Sequence, residues 1–362
     1  MSAEGSAKGP SPKTAARAAG RGQASAKGAA KGAVKTSQKA ASRRPRPSDP
    51  NLPDFSYPDP HITYPEKDVR SIGVVAFSGD MAAAMDILRR WAEDNPRIKV
   101  HLNGYLRPFA GGPLTVKPES YLSARVDLLL SLGGDGTFLS AARMVRAAGT
   151  PILGVNLGRV GFLADVTLES LHRILDEILR REYSYRRRML LSVEVWKGRQ
   201  RLLEDIALND VAIAGQMGYQ MVDLRVSAQG RFLTDYWVDG LVVATPTGST
   251  AYSLSAGGPI IHPSEDCILL TPMNPTSLSV RPLVLPDYMT VAVRSNMARD
   301  RDVNMFVDGR NQFRLLPEHT VIIRKHAEGI RLVRPKGASY FESLRNKLGW
   351  TGTRHSRYAP QA

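Results

Sequence analysis

Ten consecutive residues, Leu128-Leu129-Leu130-Ser131-Leu132-Gly133-Gly134-Asp135-Gly136-Thr137, carry an apolar run straight into a glycine-rich turn holding one carboxylate. Phosphate binding and acid/base chemistry could share such a turn. Without Cβ atoms, Gly133, Gly134 and Gly136 can take positive φ and bring backbone N–H groups close to an anion. Thr137 then opens an alanine-rich helical run, Phe138 to Ala148, whose positive end faces the same ligand. Gly133, Gly134, Gly136 and Thr137 are therefore candidates to hold phosphate. Asp135 is the candidate base, expected to sit cradled by glycine amides within proton-transfer reach of a hydroxyl. A turn of this kind taken alone is also compatible with an ordinary strand-turn-helix.

A second stretch shifts that balance. From Asp239 to Pro259 an apolar strand ends in a Pro/Gly turn dense with hydroxyls: Thr247, Ser249, Thr250, Tyr252 and Ser255. These are neutral donors and acceptors, and Tyr252 adds a flat face, a set that suits a nucleoside better than a bare phosphate. Turn chemistry explains Pro246 and Gly248 but not the whole run. Asn209-Asp210 is a third, weaker piece, in which an amide and a carboxylate side by side can read an adenine edge and a ribose diol.

The elements that must position these groups follow from periodicity. Strands are predicted at Ser71 to Phe77, Lys99 to Leu102, Asp127 to Leu132 and Pro151 to Val155, with helices at Met81 to Glu93 (Asp80 as N-cap) and Leu168 to Arg180. Strands alternating with helices imply a parallel sheet with its ligand site at the carboxyl ends of the strands, where Gly133 to Thr137 falls. Between residues 165 and 185 the pattern changes to short strands: Leu190 to Trp196, Glu204 to Ala207, Val211 to Ile213, Met221 to Ala228, Gly240 to Ala244, Met289 to Val293, Val303 to Val307, Val321 to Ile323 and Ile330 to Val333. The expected fold class is an α/β, Rossmann-like N-terminal domain followed by a mostly antiparallel β-sandwich. In residues, 66–168 form the α/β domain, 169–334 the β-rich domain, and about 335–350 return to the first.

The chain has 362 residues and a net charge of +15, unevenly placed. Up to Pro50, eleven Lys or Arg residues stand against Glu4 and Asp49, which leaves +6 for everything after. That stretch has Val34 as its only large aliphatic residue and cannot build a core. Residues 1–65 therefore read as a disordered basic tail with a Pro-rich linker, and 351–362 as a flexible tail. The basic tail could contact nucleic acid weakly, but a solvated extension is the favoured reading. A single cysteine, Cys267, excludes an intrachain disulfide and a thiolate metal cluster. With no apolar run of spanning length and no apolar signal segment, the expected location is the cytoplasm, with no membrane contact.

Taken together, these motifs resemble the NAD kinases, which share the G-G-D-G-T turn with diacylglycerol, sphingosine and 6-phosphofructo kinases. The resemblance runs from about Ser71 to Trp350. It includes Gly154 to Leu163, Asn209-Asp210, Asp239 to Pro259, Thr271-Pro272 and Leu278 to Leu283. The Thr245 to Pro259 run is its specific part, because lipid kinases lack it. The resemblance implies that ATP phosphorylates the adenosine 2′-hydroxyl of NAD to give NADP and ADP. Asp135 would be the base, with Gly136 and Phe162 beside the dinucleotide and Asn209 and Asp210 on its adenine and ribose groups. Asp239 would lie near the nicotinamide end, and Thr250, Ala251, Tyr252, Ser253, Leu254 and Ser255 would contact adenine and ribose. Mg²⁺ would be held mainly through nucleotide phosphates rather than by a protein metal site, and the chain would be a homodimer or homotetramer.

Five positions depart from the family pattern. Asp210 is one methylene shorter than the frequent Glu, Gln220 and Trp237 stand where many relatives carry basic side chains toward the dinucleotide, Arg310 replaces a frequent Gln, and Thr276 a frequent His. Two rivals remain at this stage. A lipid kinase would need an apolar or membrane-facing site, which the hydroxyl-rich run argues against. A dinucleotide-sensing protein without turnover would have no use for Asp135.

Overall fold

The strands Ser71–Val75, Leu128–Leu132 and Ile152–Asn156 are almost wholly buried, as strands covered on both faces must be. The computed structural model of the chain describes residues 62–146, 148–158, 161–164, 166–215, 221–298 and 302–350. The basic tail and the last twelve residues of the sequence lie outside them. In spatial order the first sheet runs Ile62–Thr63, Tyr183–Arg188, Ile330–Pro335, Ile152–Asn156, Leu128–Leu132, Ser71–Val75, Lys99–Leu102 and Leu114–Val116, with Val166–Thr167 beside Ile152–Asn156. Pairing is parallel from Ile330–Pro335 to Leu114–Val116 and antiparallel at the other edge. Strand order reverses between Ser71–Val75 and Leu128–Leu132, which puts a crevice at their carboxyl ends. The G-G-D-G-T turn follows Leu128–Leu132 directly.

Two helix layers cover this sheet. Ala82–Asp94 and Leu171–Leu179 bury Met85, Leu88, Trp91, Ile174 and Leu175 on one face, and Trp91 Nε1 donates to Asp176 Oδ1 at 2.9 Å. Glu119–Ala124 and Asp135–Val145 cover the other, where Leu122, Phe138, Ala141 and Val145 pack on Leu129 and Ile152. Leu190, Ile206 and Leu208 belong to that same core. The helix that begins at Asp135 is thus wedged between the parallel sheet and the start of the β-rich part.

The β-rich part is two six-stranded antiparallel sheets. One runs Gln200–Ala207, Leu191–Lys197, His319–Lys325, Val291–Ser295, Val222–Ala228, Arg231–Val238, and the other Leu283–Pro286, Cys267–Met273, Gly240–Ala244, Asp210–Gly215, Val303–Val307, Arg310–Leu315. Val193, Val195, Leu224 and Val293 from the first share a core with Val211, Ile213, Leu241 and Val243 from the second, one inward residue in every two. The expected α/β plus β-sandwich architecture is what forms. Tyr183–Arg188, however, joins the first sheet, so that layer includes residues from within 169–334 and closes again with Ile330–Pro335 and the helix Tyr340–Leu348. Among the described residues no helix is long and apolar enough to cross a membrane.

Candidate active site

Gly133 takes φ +146°, which an L side chain rarely adopts, and a Cβ there would strike Thr137. This kink ends the strand and lets Gly134, in extended backbone, cap a helix that starts at Asp135, two residues earlier than the sequence suggests. An acidic residue in the first turn suits the positive helix end. Thr137 is buried over the kink, whereas Gly134 and Gly136 are exposed.

The Asp135 carboxylate is not cradled by glycine amides. Its donors come from the loop after Ile152–Asn156: Oδ2 accepts from Phe162 N at 2.8 Å, and Oδ1 accepts from Leu163 N at 3.0 Å and Ala164 N at 3.3 Å. The glycine that matters to it is Gly161, because a Cβ there would fall on the carboxylate itself. A carboxylate offers about four lone-pair sites, so with Oδ1 taking two donors and Oδ2 one, the open acceptor position is on Oδ2. The loop is anchored behind by Asn156, whose Nδ2 donates to Ala164 O at 3.3 Å and whose Oδ1 accepts from Gly158 N at 2.7 Å.

Arg310, on the sandwich strand Arg310–Leu315, reaches the same turn. Its Nη2 donates to Gly136 O at 3.1 Å and its Nη1 to Ser140 Oγ. The hairpin that delivers it turns at Asp308 and Gly309, both at positive φ. Asp308 was not singled out as a site residue in the sequence, although an Asp-Gly pair between two apolar runs is a hairpin signal. Its carboxylate binds three successive amides, Leu208 N at 2.9 Å, Asn209 N at 2.8 Å and Asp210 N at 3.2 Å. One hairpin therefore holds Asn209-Asp210 with Asp308 and touches the glycine turn with Arg310.

The hydroxyl-rich run divides into support and surface. Thr245 Oγ1 donates to Leu208 O at 2.6 Å and accepts from Gly248 N at 3.0 Å, while Ser249 bonds Pro246 O and Ile261. Ser253 is fully buried against Thr271, oxygen to oxygen 2.8 Å. These groups fasten the loop to the sheet. Thr250, Ala251 and Leu254 are partly buried, and Tyr252 and Ser255 are more exposed, Tyr252 at 44%. Asp210 is buried, and burial followed by the charge of Asp308 pushes its carboxyl up to about 7, against the N–H of Tyr252 that holds it down. Asp308 is itself raised by burial, opposed by its three amides. The Tyr252 phenol is raised by burial and then by the charges of Asp210 and Asp239.

Asp239 accepts from Asn274 Nδ2 at 2.8 Å at the far end of Gly240–Ala244. Trp237, half exposed at the end of the edge strand Arg231–Val238, accepts at its carbonyl from Thr276 N at 3.2 Å, in the loop that also carries Asn274. Gln220 is outside the described residues. A cleft lined by Phe162, Leu163, Pro246, Thr247, Thr250 and Arg188, among others, connects the Asp135 loop with the hydroxyl-rich run. Among the described residues no cluster of three or more His, Cys, Asp or Glu is arranged to hold a metal ion.

Residues 115–183 match the ATP-NAD kinase N-terminal domain and residues 208–334 the ATP-NAD kinase C-terminal domain. The NAD kinase of Geobacter sulfurreducens is 40% identical over 257 residues, 70% of this chain and 88% of that protein. The chain belongs to the NAD kinase family. The NAD kinase of Syntrophotalea carbinolica is 44% identical over 230 residues, 62% of this chain and 79% of its own. Among solved structures, yeast NADH kinase complexed with NADH superposes with a TM-score of 0.72 at 25% identity, covering 82% of this chain and 91% of that one. An NAD kinase from Archaeoglobus fulgidus, in complex with ATP, shares the fold with a TM-score of 0.61 at 24% identity over 78% of this chain and 100% of its own.

Proposed function

We infer that this chain is an NAD kinase, transferring the γ-phosphoryl group of ATP to the adenosine 2′-hydroxyl of NAD to give NADP and ADP. Family membership supports the reaction. The observation that carries the assignment to residues is the Asp135 carboxylate, fixed by three amides with one acceptor site open on Oδ2. In this reading the 2′-hydroxyl donates to Oδ2 and its oxygen attacks the γ-phosphorus. The bond to the β–γ bridging oxygen breaks, ADP leaves, and the proton stays on Asp135.

The remaining roles follow from placement. Gly134 and Gly136, exposed at the helix start, offer amides to phosphate, and Arg310 supplies a guanidinium at the same turn. Asn209, Asp210, Thr250, Ala251, Tyr252, Leu254 and Ser255 receive adenine and ribose, with Ser253 as their buried support. Phe162 would pack beside the dinucleotide, with Asp239 near its nicotinamide end. A divalent ion, Mg²⁺ in our reading, neutralises phosphate charge when bound; a turn with one carboxylate suits an ion held mainly by nucleotide oxygens and water. The parallel-sheet part would present the phosphoryl-transfer turn, and the sandwich the dinucleotide.

We further take the chain to be a cytoplasmic homo-oligomer, supported by apolar Phe232, Leu233 and Trp237 left exposed on an edge strand. Incubation with ATP, Mg²⁺ and NAD, with the product identified by mass and by an NADP-specific dehydrogenase, tests the function. NADP is the expected product. Phosphate on any other acceptor, or none, would overturn the assignment.

A further inference from the structure

We propose that Lys347, on the C-terminal helix Tyr340–Leu348, is a positioning residue for Asp135 and acts through Phe162; the catalytic half of this inference rests on the function proposed above. The carboxylate is oriented by amides of one short segment, and that segment has two sides. Behind, Asn156 fixes Gly158 and Ala164 to the sheet. In front, the Phe162 ring carries the Lys347 ammonium over its face at 4.0 Å from the centroid. Phe162 is also the donor to Oδ2, the oxygen with the open acceptor site. The residue that the lysine grips is therefore the one whose amide sets the direction of that site.

The helix is well placed for this work. Leu344 is buried, and Tyr340 packs edge-on against His262 with centroids 4.8 Å apart. Tyr340 and Ser343 line the same cleft as Phe162 and Leu163. Lys347 is half-buried, and partial desolvation strengthens attraction between a cation and an aromatic face. Gly161 adjoins Phe162 and leaves no room for a side chain beside the carboxylate, and the Phe162 amide is itself bonded to Oδ2, so a movement of Phe162 bears on Asp135 through that bond. The segment, the ring and the lysine form one mechanical line from the last helix to the reacting oxygen.

Lys347→Met keeps the aliphatic stem and removes the charge; Lys347→Arg keeps the charge. For Lys347→Met we expect kcat to fall about three- to thirtyfold, the weight of one cation–π contact, with KM for NAD and for ATP within about twofold of the parent. Lys347→Arg should recover at least half of the lost kcat. A purely structural role would instead lower the unfolding midpoint and would not separate kcat from KM. An unchanged kcat in Lys347→Met, a change confined to KM, or failure of the arginine to restore turnover would each overturn the proposal. Amide exchange supplies a readout that needs no turnover: the N–H groups of Phe162, Leu163 and Ala164 should exchange faster in Lys347→Met, and unchanged exchange would refute the mechanical link. Absence of NADP formation by the parent chain would instead remove the function while leaving the exchange result to judge the link.

Discussion

Asp135 accepts hydrogen bonds from three successive amides, and its helix is held between two layers, so the direction of its carboxylate is set by backbone rather than by other side chains. Asp135→Asn keeps the size and puts an N–H where an acceptor is needed. Turnover should fall by about 10² to 10⁴, the usual range for a positioned base, while NAD binding measured by titration calorimetry stays within a few fold; near-normal turnover would remove Asp135 from the mechanism. Gly161→Ala is a sharper probe, because it leaves every polar group in place and forces only the carboxylate aside. We expect kcat to drop at least about tenfold with the unfolding midpoint lowered only modestly, since overpacking costs about 1–3 kcal/mol, and an alanine variant with parental kcat would show that the crowding is relieved elsewhere. Much of this scale was legible in the sequence. The glycine turn and the hydroxyl-rich run announce themselves by composition, whereas the contact between residue 135 and residues 162–164 joins segments that no local pattern links.

The hairpin formed by Val303–Val307 and Arg310–Leu315 connects the two halves of the site, Asp308 gripping Asn209-Asp210 and Arg310 the glycine turn. It also sets the charge of Asp308 beside the buried Asp210, whose carboxyl is pushed up to about 7 by burial first and by that charge second. Below that pH the Asp210 carboxyl is protonated and loses acceptor capacity toward a ribose diol, so kcat/KM for NAD should rise with pH through about 7. In Asp308→Asn the neighbouring charge is gone, and the limb should move to lower pH; a limb that stays put would mean another group controls it. Stability runs the opposite way. Between the ordinary value of 3.8 and about 7 the folded chain holds a proton that the unfolded chain has released, so this group's contribution to stability declines as pH rises across that window. Several elements were hidden from sequence by opposing signals. Tyr183–Arg188 carries three arginines in a strand, and Cys267–Met273 carries Pro272, which argues against a strand between two neighbours. The structure resolves the second conflict: pairing with Leu283–Pro286 stops at Leu270, so the proline faces a side where no ladder bond is required.

At the scale of the whole molecule, the parallel sheet and the sandwich were readable because each has its own hydrophobic period, continuous in the doubly covered strands and alternating in the sandwich. Their interleaving was less so, since the chain leaves the first sheet at Arg188 and re-enters it at Ile330, a long-range pairing that no window of sequence contains. The edges of the sandwich decide the remaining property. Among the described residues Arg231–Val238 ends one sheet with an unpaired side, and Phe232 and Trp237 are 63% and 48% exposed there. The nearby loop is tied to the strand through Thr276 N and Trp237 O at 3.2 Å and presents Leu278, 90% exposed. An open edge bearing large apolar side chains is a site for pairing with another copy unless it is otherwise blunted. The double variant Phe232→Asp, Leu278→Asp adds like charges to both surfaces of a self-pairing interface while touching no group of the proposed active site. Light scattering at micromolar concentration should then report a smaller species than the parent, with an unchanged unfolding profile at the monomer level. A mass identical to that of the parent oligomer would place the interface elsewhere, and a parent that is itself monomeric would overturn the homo-oligomer reading.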